Sequence, residues 1–361
     1  MDEPAGDASG AGPPRGVDGA RAAASTDIAL PGLTLDDGGT HPTVPVGINA
    51  MVSPVTAARI AQATPASTIR VYGYQWRRFA AWCDEQGRTA VPCSDATLAE
   101  YVSALVTDGA GVPTIDQAVA AIARLHRDRR LPAPDTRAAL LVRRTHRRQR
   151  ADTGGRVRQA PPIAREQLRA MVAACPDTVL GARDRALLTL GVTMMARRSE
   201  LAALDRADLA EVEEGMLVHV RKSKTDQDAV GVEVAIPYSS HLGTCAVRQV
   251  RAWVTVLADH GILDGPLLRA VDRHGRVSDR RMSGDGINRA VRAAAARAHL
   301  PGADTYTGHS LRAGGATAAA RAGARDSAIA SQGRWSHNSP VVGRYIRDVE
   351  RWKDNPMTGA L

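Results

Sequence analysis

Aromatic residues and lysine are both scarce in this chain. Of 361 residues only 3% are aromatic, with a single Phe, while 44% are apolar. Its cores must therefore be built from Ala, Leu, Val and Ile. Lysine occurs three times, at Lys222, Lys224 and Lys353, among 47 basic residues. This bias toward Arg and Ala fits a GC-rich bacterial genome and makes each retained lysine informative. The four cysteines, Cys83, Cys93, Cys175 and Cys245, lie far apart, without a CxxC pair or a Cys/His cluster at zinc spacing. That spacing argues against a metal site. The longest apolar stretches, such as 187–196, fall short of the ~20 residues needed to span a bilayer. The opening MDEPAGDASG lacks the basic and apolar regions of a signal peptide. A reduced, cytoplasmic protein is the expectation, with no membrane partner.

What the chain has in excess is positive charge, +9 at pH 7. A polyanion is the implied partner, with nucleic acid first and an anionic membrane surface as the competitor. No basic amphipathic helix with aromatic anchors supports the membrane.

The length suits two domains. Residues 1–50, rich in Gly, Ala, Pro and Asp without apolar periodicity, read as a disordered tail. Residues 51–150 read as a small helical domain. Its first helix is expected after a Ser67–Thr68 cap, with Val71, Tyr74, Phe79 and Trp82 on one face. A second follows Ser94 and Asp95 and carries Leu98, Tyr101, Val102 and Leu105. A third runs from Thr114 to His126, and a fourth from about Asp135. That last helix and the following linker, 151–162 (ADTGGRVRQAPP), carry Arg143, Arg144, Arg147, Arg148, Arg150, Arg156 and Arg158 against one acid, Asp152. A solvated face usually mixes signs, so these arginines are read as DNA-backbone contacts. Residues 163–361 read as an α-rich domain with one β-hairpin, 216–220 and 232–236 around a polar tip. Helices are expected near 240–259, 285–299, 309–322, 325–332 and 339–347.

Four signals in the second half carry chemistry only in combination. Arg197 and Glu200 lie three apart in RRSEL, at the end of an apolar helix, which by itself is an ordinary surface ion pair. Lys224, with Lys222 beside it, sits at the hairpin tip, where lysines are usually just solvated. His309 and Arg312 share a face at a helix start, a natural anion site but a weak motif alone. Trp335 precedes Tyr345 by ten residues, and either one singly is ordinary packing. Tyr306 is a packing residue or a phosphate contact.

In this order and spacing the four signals resemble the tyrosine recombinase (phage integrase) family, more closely its Cre-like branch. The likeness runs from about Ser67 to Gly359. It implies a mostly α fold, with a helical, SAM-like core-binding N-terminal domain and an α-rich catalytic domain bearing a small β-hairpin. It also implies cutting and rejoining of double-stranded DNA at specific sites through a 3′-phosphotyrosine, without metal or cofactor. Arg197 and Arg312 would clamp the nonbridging oxygens with forked donors, and Tyr345 would attack. His309 would take or relay its proton, and Lys224, or Lys222, would protonate the leaving 5′-oxygen. Trp335 would give its indole N–H to a phosphate oxygen, and Glu200 would orient Arg197 and His309. Lys222 joins the basic segment as a DNA contact. The resemblance further implies association with nucleoid or plasmid, and a homotetramer on two paired sites, monomeric or weakly associated off DNA. Residues after Tyr345 would dock on a neighbour through Trp352 and Met357. Three features depart from the family pattern: Ala196 for the usual glycine, Trp335 for the commoner His, and one extra residue before Tyr345, with Pro340 in the gap. A lapsed member that only binds DNA, and a type IB topoisomerase-like relaxing enzyme, are the alternatives.

Overall fold

The computed structural model describes residues 53–154, 160–221 and 231–336, together with 339, 342, 343, 345, 355–357 and 360. The expected tail 1–50, Arg156, Arg158, Lys222, Lys224 and Trp352 lie outside the described residues. The chain divides into two compact units, Met1–Val157 and Arg158–Leu361.

The first unit contains five helices among its described residues: α1 (Pro54–Gln62), α2 (Ala66–Glu85), α3 (Asp95–Thr107), α4 (Val112–Asp128) and α5 (Arg137–Asp152). Phe79, Cys83, Leu98, Tyr101, Val102, Leu105, Ile115, Ala118, Ile122 and Ala139 form its core. Ser94 caps α3 by accepting the Thr97 N–H at 3.1 Å. His126 is fully buried and satisfied at both ring nitrogens: Nε2 accepts the Cys93 N–H at 2.9 Å, and Nδ1 lies 2.8 Å from the Ile122 carbonyl. That pairing requires a neutral ring protonated at Nδ1. The start of α2 differs from expectation. It begins at Ala66 behind Pro65, with no side-chain cap, and Val71 and Tyr74 are exposed. The buried row is Gln75, Phe79 and Cys83, so the core covers only the C-terminal half of α2. The linker also starts later than expected, because α5 runs to Asp152.

In the second unit α6 (Arg165–Ala173) precedes α7 (Val179–Thr193), which is buried along most of its length. The short α8 (Arg198–Ala203) leads to a three-stranded antiparallel sheet of β1 (Leu209–Val212), β2 (Gly215–Val220) and β3 (Val232–Pro237), in that order. Met216 pairs with Ile236 and Val218 with Val234, all four buried, as strict alternation on a one-faced sheet requires. Next come α9 (Ala246–Asp259), the antiparallel pair β4 (Arg269–Val271) and β5 (Val277–Arg281), then α10 (Gly284–Arg297), α11 (Gly308–Arg321) and α12 (Asp326–Gly333). The expected hairpin is thus two strands of three, and β4–β5 is a second sheet. The core includes Leu187, Leu190, Val247, Val250, Trp253, Leu257, Ile287, Val291 and Leu311.

Two glycines seat α11. A Cβ on Gly314 would lie 2.2 Å from the Ile163 carbonyl oxygen, and one on Gly315 would lie 2.2 Å from that of Val192. Only glycine lets the α11 backbone come this close to the segment before α6 and to the end of α7.

Candidate active site

The site grows from the C-terminal end of α7. Met195 adopts the left-handed conformation (φ 47°). Its N–H reaches the Val192 carbonyl, and the Ala196 N–H reaches that of Gly191, both at 3.0 Å, the double closure of a Schellman turn. Two carbonyls of the helix end, Thr193 and Met194, and that of the turn residue Met195 remain, and each would cost about 1–3 kcal/mol to bury unpaired. Side chains take all three. Gln332 Nε2 donates to Thr193 O at 3.1 Å, Arg334 Nη1 to Met194 O at 3.2 Å and Arg312 Nη1 to Met195 O at 2.6 Å.

The turn delivers Arg197 to the N-cap of α8. Glu200, three residues on, accepts the Arg197 backbone N–H at 2.9 Å, and its other oxygen takes Arg197 Nη1 at 2.6 Å. Arg334 Nη2 donates to Glu200 at 2.5 Å, and Arg197 Nη2 donates to the Arg334 carbonyl at 3.0 Å. The Glu200 side chain is 1% exposed. Burial pushes its pKa up, but Arg334 and Arg197 outweigh that and hold it below the usual carboxylate range. Glu200 was expected to orient Arg197 and His309; its second partner is instead Arg334.

Thr307 caps α11, accepting the His309 N–H at 3.2 Å, while Asn288 Oδ1 accepts the Gly308 N–H at 2.9 Å. His309 and Arg312, one turn apart, face the same space. Arg312 is 3% exposed, with its guanidinium carbon 3.7 Å from the centroid of the Trp335 ring. A desolvated cation–π contact of this kind is worth about 2 kcal/mol. Burial and the neighbouring Arg197 pull the Arg312 pKa down to about 9. The Tyr345 ring lies 5.9 Å from that of Trp335, and its hydroxyl is 3.1 Å from His309 Nε2. His309 is open to solvent on one side; such burial as it has, reinforced by Arg312, lowers its pKa below the ordinary histidine value. A cleft of about 280 Å³ opens over Arg197, Arg198, Asn288, Thr307 and His309.

Arg197, Glu200, His309, Arg312, Trp335 and Tyr345 are thus gathered in one place within the second unit. Two guanidinium groups that can hold an anion lie beside a phenol hydroxyl and an imidazole that can exchange a proton. Arg334 and Gln332, which hold the arrangement, escaped the sequence reading. Tyr306 is buried. Elsewhere, Arg144, Arg147, Arg148 and Arg150 are exposed on α5, and Arg143 pairs with Asp116. An open groove there is lined by Arg137, Leu140, Leu141, Arg143, Arg144 and Arg147. All four cysteines are free and buried. No helix among the described residues is long and apolar enough to cross a membrane.

Residues 162–351 match the phage integrase family. The chain is 31% identical over 316 residues to the integrase/recombinase xerD homolog of Selenomonas ruminantium, covering 86% of this chain and 89% of that protein. It is 30% identical over 295 residues to the recombinase cre of Escherichia phage P1, covering 76% and 82% respectively. The XerH site-specific recombinase, solved bound to palindromic difH substrate in a post-cleavage complex, shares the fold. That match has a TM-score of 0.54 at 13% identity and covers 85% of this chain and 84% of that one. The chain therefore belongs to the phage integrase family, the tyrosine recombinases, enzymes that cut and rejoin DNA.

Proposed function

We propose that this site-specific recombinase cleaves a DNA strand by in-line attack of the Tyr345 hydroxyl oxygen on a phosphodiester held by Arg197 and Arg312. The O–P bond to tyrosine forms as the P–O5′ bond breaks, leaving a 3′-phosphotyrosine and a 5′-hydroxyl. The ester conserves the bond, so the reverse attack by a 5′-hydroxyl reseals the strand without an energy source. The observation that carries this reading is the Tyr345 hydroxyl at 3.1 Å from His309 Nε2, beside the two arginines.

Tyr345 needs a base, because a phenol near pKa 10 is protonated at neutral pH. His309, kept neutral by burial and by Arg312, offers a lone pair at Nε2. The two guanidiniums stabilise charge that builds on the nonbridging oxygens, typically the largest catalytic term, at about 3 kcal/mol per donor. Lys224, with Lys222 as the other choice, supplies the proton to the leaving 5′-oxygen. Trp335 supports Arg312 and offers its indole N–H to the phosphate. The arginines of α5 and the linker contact the DNA backbone. The working assembly is a homotetramer on two paired sites in the cytoplasm, with the first unit as the core-binding domain and the second as the catalytic one.

The test is a nicked suicide substrate carrying sites from the native genomic neighbourhood, incubated with EDTA. Wild type should give a covalent protein–DNA band on a denaturing gel, and Tyr345→Phe should give none. A band that persists in the variant refutes the assignment of the nucleophile. Specific binding without a band favours a member that only binds DNA, and relaxation of plasmid lacking a target site favours a topoisomerase-like enzyme.

A further inference from the structure

The proposed roles leave unused the buried cation that meets Glu200, Arg334. Arg334 follows α12 and is 5% exposed. It takes the left-handed conformation (φ 56°, ψ 46°), which a residue with a side chain rarely adopts unless its surroundings hold it there. Its contacts show what holds it. Nη2 donates to Glu200 at 2.5 Å, while Nη1 donates to Met194 O at 3.2 Å and to Gln332 O at 2.8 Å. Its own carbonyl accepts Arg197 Nη2 at 3.0 Å.

Arg334 therefore acts on Arg197 from two sides. Its guanidinium fixes the carboxylate that binds Arg197 Nη1, and its backbone carbonyl fixes Nη2. Reaching Glu200 with one nitrogen and the α7 carbonyl with the other requires a planar fork, which lysine lacks. The left-handed backbone aims the carbonyl at Arg197 while the chain turns on to Trp335, the platform under Arg312. One residue thus links the supports of both phosphate-binding arginines.

We infer that Arg334 is a positioning residue for DNA cleavage, acting through Arg197. This rests on the reading of Arg197 as a phosphate clamp. A purely structural arginine that only neutralises Glu200 would be replaceable by lysine, whereas a positioning fork would not. A misplacement of about 1 Å in a reacting constellation costs on the order of 10²-fold in rate.

The experiment uses the full chain with Arg334→Lys and Arg334→Met, under single turnover on a nicked suicide substrate. The scissile phosphate is either native or a methylphosphonate, which lacks the anionic oxygen that Arg197 would serve. DNA affinity and thermal melting are followed in parallel. Arg334→Lys should melt cooperatively and bind DNA as wild type does, yet lose on the order of 10²-fold in the rate of covalent complex formation on the native phosphate. On the methylphosphonate the gap between wild type and variant should largely close. An equal loss on both substrates, or wild-type cleavage by Arg334→Lys, overturns the inference. If Arg334→Met fails to fold, the lysine variant decides alone. A wild type that forms no covalent complex overturns the reading of the site and this inference with it; an active wild type matched by the variant overturns the inference alone.

Discussion

Replacing Glu200 with Gln tests the electrostatic centre of the site. The carboxylate accepts three hydrogen bonds, from the Arg197 backbone N–H, Arg197 Nη1 and Arg334 Nη2. Its side chain is 1% exposed, so water cannot replace any of them. In the glutamine variant one acceptor becomes an NH₂ that faces a guanidinium, and Arg197, Arg312 and Arg334 lose their shared counter-ion. Removing one partner of a buried pair costs about 3–5 kcal/mol. For a unit of this size that lowers the melting midpoint by roughly 10 °C. The pH dependence makes the attribution specific. The Glu200 pKa is held below its ordinary value, so its stabilisation is complete above the unfolded value of about 4.3 and is lost as pH falls through the lower, folded value. Melts of wild type and Glu200→Gln should stay separated by a constant gap from pH 8 to about 5, and the gap should shrink at more acidic pH. A midpoint change under about 2 °C at pH 7, or a gap that persists undiminished through acid unfolding, would refute the idea that this carboxylate neutralises the arginine cluster.

Two further outcomes follow from the same structure. The single-turnover cleavage rate should rise with pH through an apparent pKa below about 6.5 and then level off, since the lowered His309 pKa leaves the ring neutral above it. His309→Gln should remove that inflection, and an inflection above 6.5 would exclude His309 as the base. On α5, replacing the exposed Arg144, Arg147 and Arg148 with Gln should make the slope of log affinity against log salt shallower by about 3 if each neutralises one phosphate. An unchanged slope would take these arginines off the DNA.

Legibility tracked how local each determinant is. The Ser94 cap, the α3 face Leu98–Leu105 and the β2–β3 alternation announce themselves within a few residues, and all three stand in the structure. β5 (VSDRR) has no apolar period and is exposed or half-buried throughout, so nothing in its own composition marks it as a strand. Val71 and Tyr74 carry a helical pattern, but which turns of α2 become buried depends on where the rest of the core ends. The residues that the fold gathers around Arg197 and His309 could be picked out as a set because their order along the chain is unusual. Arg334 was not, since an arginine between Gly333 and Trp335 reads as surface charge.

What buries Arg334 is the end of α7. The carbonyl it satisfies, that of Met194, is 140 residues away in the chain. The same helix end binds Gln332 and Arg312, so one cost of folding, the unpaired carbonyls of a buried helix terminus, is met by side chains from α11, α12 and the segment after it. Those elements also carry His309 and Trp335. Closing the terminus and assembling the site are therefore one event. A change that weakens this closure should lower stability and misplace Arg197 and Arg312 together, even where it touches neither.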